Sequence, residues 1–211
     1  MKKALIFDLD GTLLDSMDFW DNLGIEYLSG KGVTSIPSCI KEILEPMSLF
    51  DAAEYFISEF SLNLPALKIC DEINLMIEDK YRYEIGLKDG VLDFLKQHFN
   101  HKMCIATATD RSLAEFALKR LGVLEHFDFI ITSHDVGNSK QNPDIFLKAA
   151  ERLGEPVGNC VVIEDAPHAL KTAKNAGFYT IGVYEKYFEK DIDLIKKYAD
   201  QFVYNLSEVR I

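Results

Sequence analysis

Two aspartates separated by one leucine, Asp8 and Asp10, are the residues of this 211-residue chain whose types and spacing suggest chemistry most directly. They follow an apolar run at residues 4–7, and short apolar runs rich in Ile and Phe are typical of buried strands. Gly11 comes next and lets the chain turn sharply. A carboxylate can act as a nucleophile, bind a divalent cation or donate a proton. Two carboxylates at one strand end could therefore divide these tasks between them.

The acidic pair by itself does not establish a function, because such pairs also arise by chance in a chain with 34 Asp and Glu residues. Its partners must come from elsewhere in the sequence. Other polar residues lie at or just beyond the ends of later apolar runs, namely Thr107, Lys140, Glu164 and Asp165. The carboxyl ends of parallel strands meet at one edge of a sheet, so we expect these side chains to converge. A hydroxyl donor, an ammonium group and several carboxylates suit a phosphoryl group together with Mg²⁺, which prefers oxygen ligands.

The elements that must position these residues alternate in the second half of the chain. Strand-like runs lie at residues 103–107, 127–132, 161–165, 179–183 and 201–204. The segments between them have helical periodicity, and two of these helices have stop signals at Gly122 and Gly177. Strands that alternate with helices form βαβ units with right-handed crossovers. The sequence therefore predicts an α/β fold with a Rossmann-like three-layer core around a parallel sheet.

Residues 16–85 interrupt this alternation, because they have helical periodicity without strand-like runs. The candidate helices lie at residues 19–29, 39–47, 50–60 and 66–81. The sheet is expected to resume near 91–99 and Met103. We therefore predict a catalytic core of residues 1–15 and 86–211, interrupted by an α-helical cap domain of residues 16–85.

Composition limits the partners of this chain. The formal net charge of −11 argues against nucleic acid, which requires clustered Lys and Arg, but it permits a small phosphorylated ligand. No apolar segment approaches the length of a membrane span. The four cysteines have no metal-ligand spacing, which favours unpaired thiols in a reducing compartment. We expect a cytoplasmic protein that is a monomer or a weak homo-oligomer, with no membrane partner.

Four segments resemble the four motifs of the haloacid dehalogenase superfamily, in the same order. They are Phe-Asp8-Leu-Asp10-Gly-Thr12-Leu, Ile-Ala-Thr107, Ser-Lys140 followed by Asn-Pro143-Asp144, and Val-Val-Ile-Glu164-Asp165. The resemblance is nearest to the branch with a helical cap inserted after the first strand, which contains β-phosphoglucomutase-like enzymes and many small phosphatases. It implies a Mg²⁺-dependent phosphatase, a phosphoric monoester hydrolase that acts on a small phosphorylated metabolite.

The resemblance also implies a role for each residue that matches a motif. Asp8 would be the nucleophile that forms an aspartyl-phosphate, and Asp10 would protonate the leaving oxygen and then activate water. Thr107, Ala108 and Lys140 would bind the phosphoryl group. Lys140 would in addition neutralise charge between the nucleophile and the phosphate.

The metal site implied by the resemblance consists of Asp8, the main-chain carbonyl of Asp10, and Asp165. Glu164 would join or position these ligands. The cap would close over the sheet edge, exclude water and contact the leaving group, so substrate choice is expected to depend on the cap. Trp20 has helical spacing, and we expect it to pack within the cap rather than against a ligand.

Other functions are considered beside the phosphatase. A phosphomutase would share Asp8 and Asp10 but would return the phosphoryl group to the substrate instead of passing it to water. A dehalogenase needs the nucleophile but no acid for a leaving oxygen, so Asp10 argues against it. A non-catalytic phospho-acceptor switch of the receiver type carries its accepting aspartate on a middle strand and has no cap. A binding-only protein would not need every charged position filled.

Overall fold

The computed structural model describes residues 3–211, so the first two residues of the predicted segment 1–15 lie outside the described chain. Its described part contains a sheet of six parallel strands in the order β3-β2-β1-β4-β5-β6. The strands are β1 Ala4–Phe7, β2 Lys102–Thr107, β3 Phe129–Thr132, β4 Cys160–Glu164, β5 Tyr179–Val183 and β6 Gln201–Val203. The predicted parallel α/β sheet is confirmed, and most of the predicted strand ends agree within one or two residues.

The first strand lies at the centre of the sheet, and the strand order reverses there. In register, Phe7 lies beside Ile105 of β2 on one side and Ile163 of β4 on the other. The carboxyl ends of the three strands therefore lie within two residues of one another in the register of the sheet. Ligands of open α/β sheets bind in the crevice at this kind of reversal, beyond the carboxyl ends of the strands.

Helices cover both faces of the sheet, and β1 shows why. Leu5 and Phe7 face one apolar cluster, whereas Ala4 and Ile6 face a second cluster, and all four side chains are buried. A strand that is apolar on both faces requires cover on both. The helices of the core are α6 Val91–Gln97, α7 Arg111–Arg120, α8 Ser133–Val136, α9 Asp144–Leu153, α10 Pro167–Asn175 and α11 Ile192–Tyr198.

The segment between β1 and β2 begins with the expected helices. They are α1 Met17–Trp20, α2 Leu23–Gly30, α3 Ile40–Leu44, α4 Leu49–Phe60 and α5 Ala66–Asp79, followed by a π-helix at Lys80–Glu84. The single helix predicted at 19–29 is thus two short helices. The two chain segments that lead into and out of this insertion run side by side, with Asp15 N–H donating to Gly86 O at 3.0 Å.

One expectation about the core is wrong. The sheet does not resume near residues 91–99, because this segment is helix α6, and β2 begins at Lys102. The buried residues of α6 are Val91, Phe94 and Leu95, which have helical rather than alternating spacing. Within residues 3–211, no helix is both long enough and apolar enough to cross a bilayer.

Candidate active site

A cavity of about 240 Å³ lies at the carboxyl edge of the sheet, between the sheet and the helical insertion. Every site residue predicted from the sequence lines this cavity, as does Glu164: Asp8, Asp10, Thr107, Ala108, Lys140, Glu164 and Asp165. The four motif segments therefore meet in one place, as expected for residues at the ends of β1, β2 and β4 and in the loop after β3. The roles assigned to the individual residues stay predictions.

Asp8, Lys140 and Glu164 form a buried ionic group. Lys140 Nζ donates to Asp8 Oδ1 and, at 2.8 Å, to Glu164 Oε2. Burial, and then the Glu164 carboxylate, raise the pKa of Asp8 to about 8, although Lys140 acts in the opposite direction. Burial alone would lower the pKa of Lys140, but the two carboxylates outweigh burial and raise it above its usual value. Lys140 is therefore held as a cation beside Asp8.

Within residues 3–211, only one of the two carboxylate oxygens of Asp165 has a hydrogen-bond partner. Its Oδ1 accepts a hydrogen bond from Thr12 Oγ1 at 2.9 Å, whereas its buried Oδ2 has no hydrogen-bond partner. Burial, followed by the charges of Asp8 and Glu164, raises the pKa of Asp165 well above its usual value. An unpaired buried carboxylate oxygen is costly, so this atom calls for a partner that the protein itself does not supply.

The residues present fit a divalent cation at this position. Carboxylate oxygens of Asp8, Glu164 and Asp165 lie within 4.8 Å of one another, and all three residues are buried. With Lys140 as the buried counter-charge, ionisation of all three carboxylates leaves an excess of two negative charges. Both oxygens of Glu164 are already engaged, one by Lys140 and one by the N–H of Ala166. Asp8 and Asp165 are therefore better placed to serve as ligands than Glu164.

The carboxylate of Asp10 is turned towards hydroxyl groups rather than towards this acidic group. Oδ1 accepts from Ser16 Oγ at 2.6 Å and from the Tyr81 hydroxyl at 2.5 Å, and Oδ2 accepts from Thr109 Oγ1 at 2.6 Å. The metal contact predicted for Asp10 involves its main-chain carbonyl, so this side-chain arrangement does not test it. Trp20 Nε1 donates to the Tyr81 hydroxyl at 2.8 Å, which extends the network into the insertion.

Thr107 is buried and remains able to donate a hydrogen bond. Its Oγ1 accepts from the N–H of Thr109 at 3.0 Å, so its own hydroxyl hydrogen can be directed towards an oxygen in the cavity. Ala108 is exposed in the turn between these two residues. Asp110 then caps helix α7 by accepting from the N–H of Ser112. This hydrogen bond at the start of α7 keeps the turn in place at the cavity wall.

Direct contacts join the insertion to the core at the edge of the cavity. His168 Nδ1 lies 2.8 Å from Glu45 Oε1, and Gln141 Nε2 donates to Pro46 O at 3.2 Å. His168 and Gln141 each follow shortly after a motif residue of the core, whereas Glu45 and Pro46 belong to the insertion. The insertion therefore lies against the same edge of the sheet that carries the motif residues.

Sequence reasoning missed the residues that hold Asp10 and Asp165. Thr12 lies within the first motif and Ser16 lies three residues beyond it, and their hydroxyl side chains could have drawn attention. Thr109 is two residues after Thr107 and offered the same weak signal. Tyr81 is 71 residues from Asp10, and nothing in its sequence surroundings indicates the contact.

Comparison with known proteins identifies the family of this chain. A family model described as haloacid dehalogenase-like hydrolase matches residues 2–177. The chain therefore belongs to the haloacid dehalogenase-like hydrolase family, and the predictions of this family and of an enzyme are confirmed.

The curated relatives include two different activities. The chain is 29% identical to fructose-1-phosphate phosphatase YqaB of Escherichia coli, over 85% of this chain and 95% of that protein. It is also 29% identical to β-phosphoglucomutase of Bacillus subtilis, over 86% of this chain and 83% of that protein.

Solved structures agree on the fold. CbbY of Rhodobacter sphaeroides, solved in complex with xylulose-1,5-bisphosphate, superposes with a TM-score of 0.84 at 23% identity and covers 99% of this chain and 96% of its own. A hydrolase from Pseudomonas syringae superposes with a TM-score of 0.78 at 25% identity, over 97% of this chain and 94% of its own. The three-layer fold with a helical insertion after the first strand is therefore that of solved proteins over nearly the whole chain.

Proposed function

We propose that this protein is a Mg²⁺-dependent phosphatase that removes phosphate from a small phosphorylated metabolite through an aspartyl-phosphate on Asp8. The observation that carries the proposal is the buried group of Asp8, Glu164 and Asp165, which would hold more negative charge than Lys140 balances once its carboxylates are ionised and which includes the unpaired Asp165 Oδ2. Relatives named as phosphatases support the same activity. Residues 16–85 would act as the cap over a core of 1–15 and 86–211.

In the first step, a carboxylate oxygen of Asp8 attacks phosphorus, and the bond between phosphorus and the leaving oxygen breaks. Asp10 enters this step protonated and gives its proton to the leaving oxygen. Because both oxygens of Asp10 accept hydrogen bonds from hydroxyl groups, one of these contacts must open when the substrate binds. Proton donation of this kind contributes roughly 10²–10⁴-fold to the rate.

In the second step, water attacks the phosphorus of the aspartyl-phosphate and Asp10 takes a proton from that water. The bond between phosphorus and Asp8 breaks, so the carboxylate of Asp8 is restored and inorganic phosphate is released. Lys140, a cation beside Asp8, and the hydroxyl of Thr107 would bind the phosphoryl oxygens through both steps. No other proton donor is needed, because Asp10 is left protonated for the next cycle.

Mg²⁺ bound by Asp8 and Asp165 would reduce the repulsion between the carboxylate nucleophile and the phosphate dianion. The cap supports the same chemistry, because the cavity lies between it and the core, where water can be excluded.

The test is phosphate release from p-nitrophenyl phosphate, with Mg²⁺ and with a chelator. We expect Asp8→Asn to reduce the activity to less than about one thousandth, because an amide cannot form the acyl-phosphate bond. Asp93→Asn changes the net charge equally at an exposed position of α6 and serves as the matched control. Substantial activity of Asp8→Asn, or full activity of the wild-type enzyme in chelator, would refute the proposal.

A phosphomutase is the second candidate, because a β-phosphoglucomutase is among the relatives. It would use Asp8 and Asp10 in the same first step but return the phosphoryl group to another oxygen of the substrate. The two candidates differ in whether free phosphate appears. The charges around the cavity favour the phosphatase.

A further inference from the structure

The positive charges around the cavity are all committed to carboxylates. Among the described residues that line it, Lys41, Lys140 and His168 can carry positive charge. Lys140 is bound by Asp8 and Glu164, as described above. The remaining cations, Lys41 of the insertion and His168 of helix α10, are therefore the ones that could bind a second anionic group of the substrate.

Lys41 and His168 each have a carboxylate partner in the insertion. Lys41 Nζ lies 2.6 Å from Asp21 Oδ2 within the insertion, and His168 Nδ1 lies 2.8 Å from Glu45 Oε1. Asp21, Lys41 and Glu45 line the cavity together with His168. This wall is therefore neutral when His168 is protonated and carries one negative charge when His168 is neutral.

A neighbouring tyrosine responds to the same acidic surroundings. Burial raises the pKa of Tyr187 to about 12, and the carboxylates of Asp21, Glu45 and Glu42 act in the same direction. Tyr187 belongs to the core and lines the cavity opposite the insertion. Asp21 and Glu45 thus lie close enough to Tyr187 to disfavour its ionisation.

The catalytic end of the cavity has no net positive charge left for a second anion. A bound Mg²⁺ would bring the buried carboxylates and Lys140 to a net charge of zero, and the phosphoryl group would contact Lys140 and the metal. A second phosphate or a carboxylate on the same substrate would face the paired cations of the cap wall. An anion in a partly buried pocket without a free counter-charge is unfavourable.

We propose that the cap wall, formed by Asp21, Lys41 and Glu45 of the insertion together with His168 of helix α10, selects monophosphates whose remaining part is uncharged and rejects substrates with a second anionic group. The inference rests on the proposed phosphatase function and narrows its substrate class. It also separates the phosphatase from a phosphomutase that passes through a bisphosphate. Such an intermediate places one phosphate at Asp8 and the other against the cap, where the wall opposes it.

The test compares glucose 1-phosphate with glucose 1,6-bisphosphate, which share one sugar and differ in one phosphate. We expect kcat/KM for phosphate release to be at least about tenfold higher for the monophosphate. We expect no conversion of glucose 1-phosphate to the 6-phosphate. Glycerol 3-phosphate and 3-phosphoglycerate form a second pair that differs in a carboxylate, and the same direction is expected.

Two variants test whether the wall causes the selection. Asp21→Asn leaves Lys41 without its carboxylate and Glu45→Gln does the same for His168, so each should raise the ratio of kcat/KM for the bisphosphate to that for the monophosphate by about tenfold. Asp71→Asn makes the same change in net charge at an exposed position of α5 and should leave the ratio unchanged.

Equal kcat/KM for the two glucose phosphates in the wild-type enzyme would overturn the inference, as would an unchanged ratio in both Asp21→Asn and Glu45→Gln. Formation of glucose 6-phosphate without free phosphate would overturn it as well. If no ester releases phosphate, p-nitrophenyl phosphate included, the proposed function itself fails and the inference fails with it. Release from p-nitrophenyl phosphate together with equal glucose phosphate rates would refute the inference alone.

Discussion

Asp10 is held by three hydroxyl groups from different parts of the chain. Ser16 lies just beyond the first motif, Tyr81 in the π-helix that ends the insertion, and Thr109 after β2. The orientation of the proposed general acid thus depends on both the core and the insertion. A hydrogen bond contributes about 0.5–1.5 kcal/mol net, so loss of one of these hydroxyls is expected to affect the rate measurably.

At the residue scale, Tyr81→Phe removes one of these hydroxyls and deprives Trp20 Nε1 of its acceptor. We expect kcat for glycerol 3-phosphate to fall about tenfold, which corresponds to about 1.4 kcal/mol. The effect on p-nitrophenyl phosphate should be much smaller, because p-nitrophenolate leaves without needing a proton. Steady-state kinetics with both substrates provide the measurement.

Tyr83→Phe is the matched control for this variant, because Tyr83 lies in the same π-helix and is 72% exposed. It should leave both rates unchanged. An equal fall for both substrates in Tyr81→Phe would mean that Tyr81 supports the structure without positioning Asp10.

The turn after β1 and the end of β4 are packed so closely that glycine is the residue that fits at position 11. Gly11 has a φ of +86°, and a Cβ built at this position would lie 2.2 Å from Asp165 Oδ2. Lys88 Nζ donates to the carbonyl of Gly11 at 2.7 Å and ties the turn to the chain that leaves the insertion. The turn thus brings the two strand ends close enough for their carboxylates to share a cation.

At the element scale, Gly11→Ala should displace the side chain of Asp165 and strain the turn. A residue with a Cβ in the left-handed region costs roughly 1–2 kcal/mol, and the overlap with Asp165 adds to this. We expect Mg²⁺ to raise the Tm of the wild-type protein, and we expect Gly11→Ala to have a lower Tm and to lose this increase. Thermal unfolding with and without Mg²⁺ is the measurement.

Gly32→Ala separates these two effects. Gly32 has a φ of +82°, but a Cβ there would meet no atom within 4 Å. This control should show the backbone strain alone and retain the full response to Mg²⁺. If Gly11→Ala also kept that response, the close approach to Asp165 would not matter for the metal site.

On the scale of the whole molecule, burial of like charges links stability to pH and to metal. The folded protein raises the pKa of Asp8 to about 8 and that of Asp165 well above its usual value. Between the ordinary pKa of 3.8 and about 8, the folded state binds more protons than the unfolded state. The free energy of unfolding of the metal-free protein therefore decreases as the pH rises through this range.

We expect the Tm of the metal-free protein to fall between about pH 5 and about pH 8, the range over which Asp8 keeps its proton in the folded state but has lost it in the unfolded state. Addition of Mg²⁺ should raise the Tm more at the upper end of this range, because at lower pH the cation must displace protons. Thermal unfolding in chelator and in Mg²⁺ at several pH values measures both effects.

Asp8→Asn cannot ionise at this position and provides the control for the pH effect. Its metal-free Tm should depend less on pH over the same range. If the wild-type Tm rose with pH in chelator, the buried carboxylates would not be the groups that control stability.

Much of the catalytic edge could be predicted from the sequence, because it depends on local patterns and one topological rule. The apolar run before Asp8 forms β1, and the run before Glu164 and Asp165 forms β4, as their composition indicates. Parallel strands end at one edge, so the residues that follow them line one cavity. The helix at 91–97 was the exception, since a short apolar run does not distinguish a strand from a helix.

The family, the parallel sheet and the meeting of the carboxylates, hydroxyl and ammonium group could be predicted from the sequence, because these follow from residues next to each strand end. The folded structure was needed to show that Tyr81 holds Asp10, that Asp165 keeps an unpaired oxygen, and that carboxylates of the insertion pair with Lys41 and His168. These contacts depend on how the insertion packs against the core and on burial, which brings distant residues together and removes water from around them. No local pattern of residues encodes that packing.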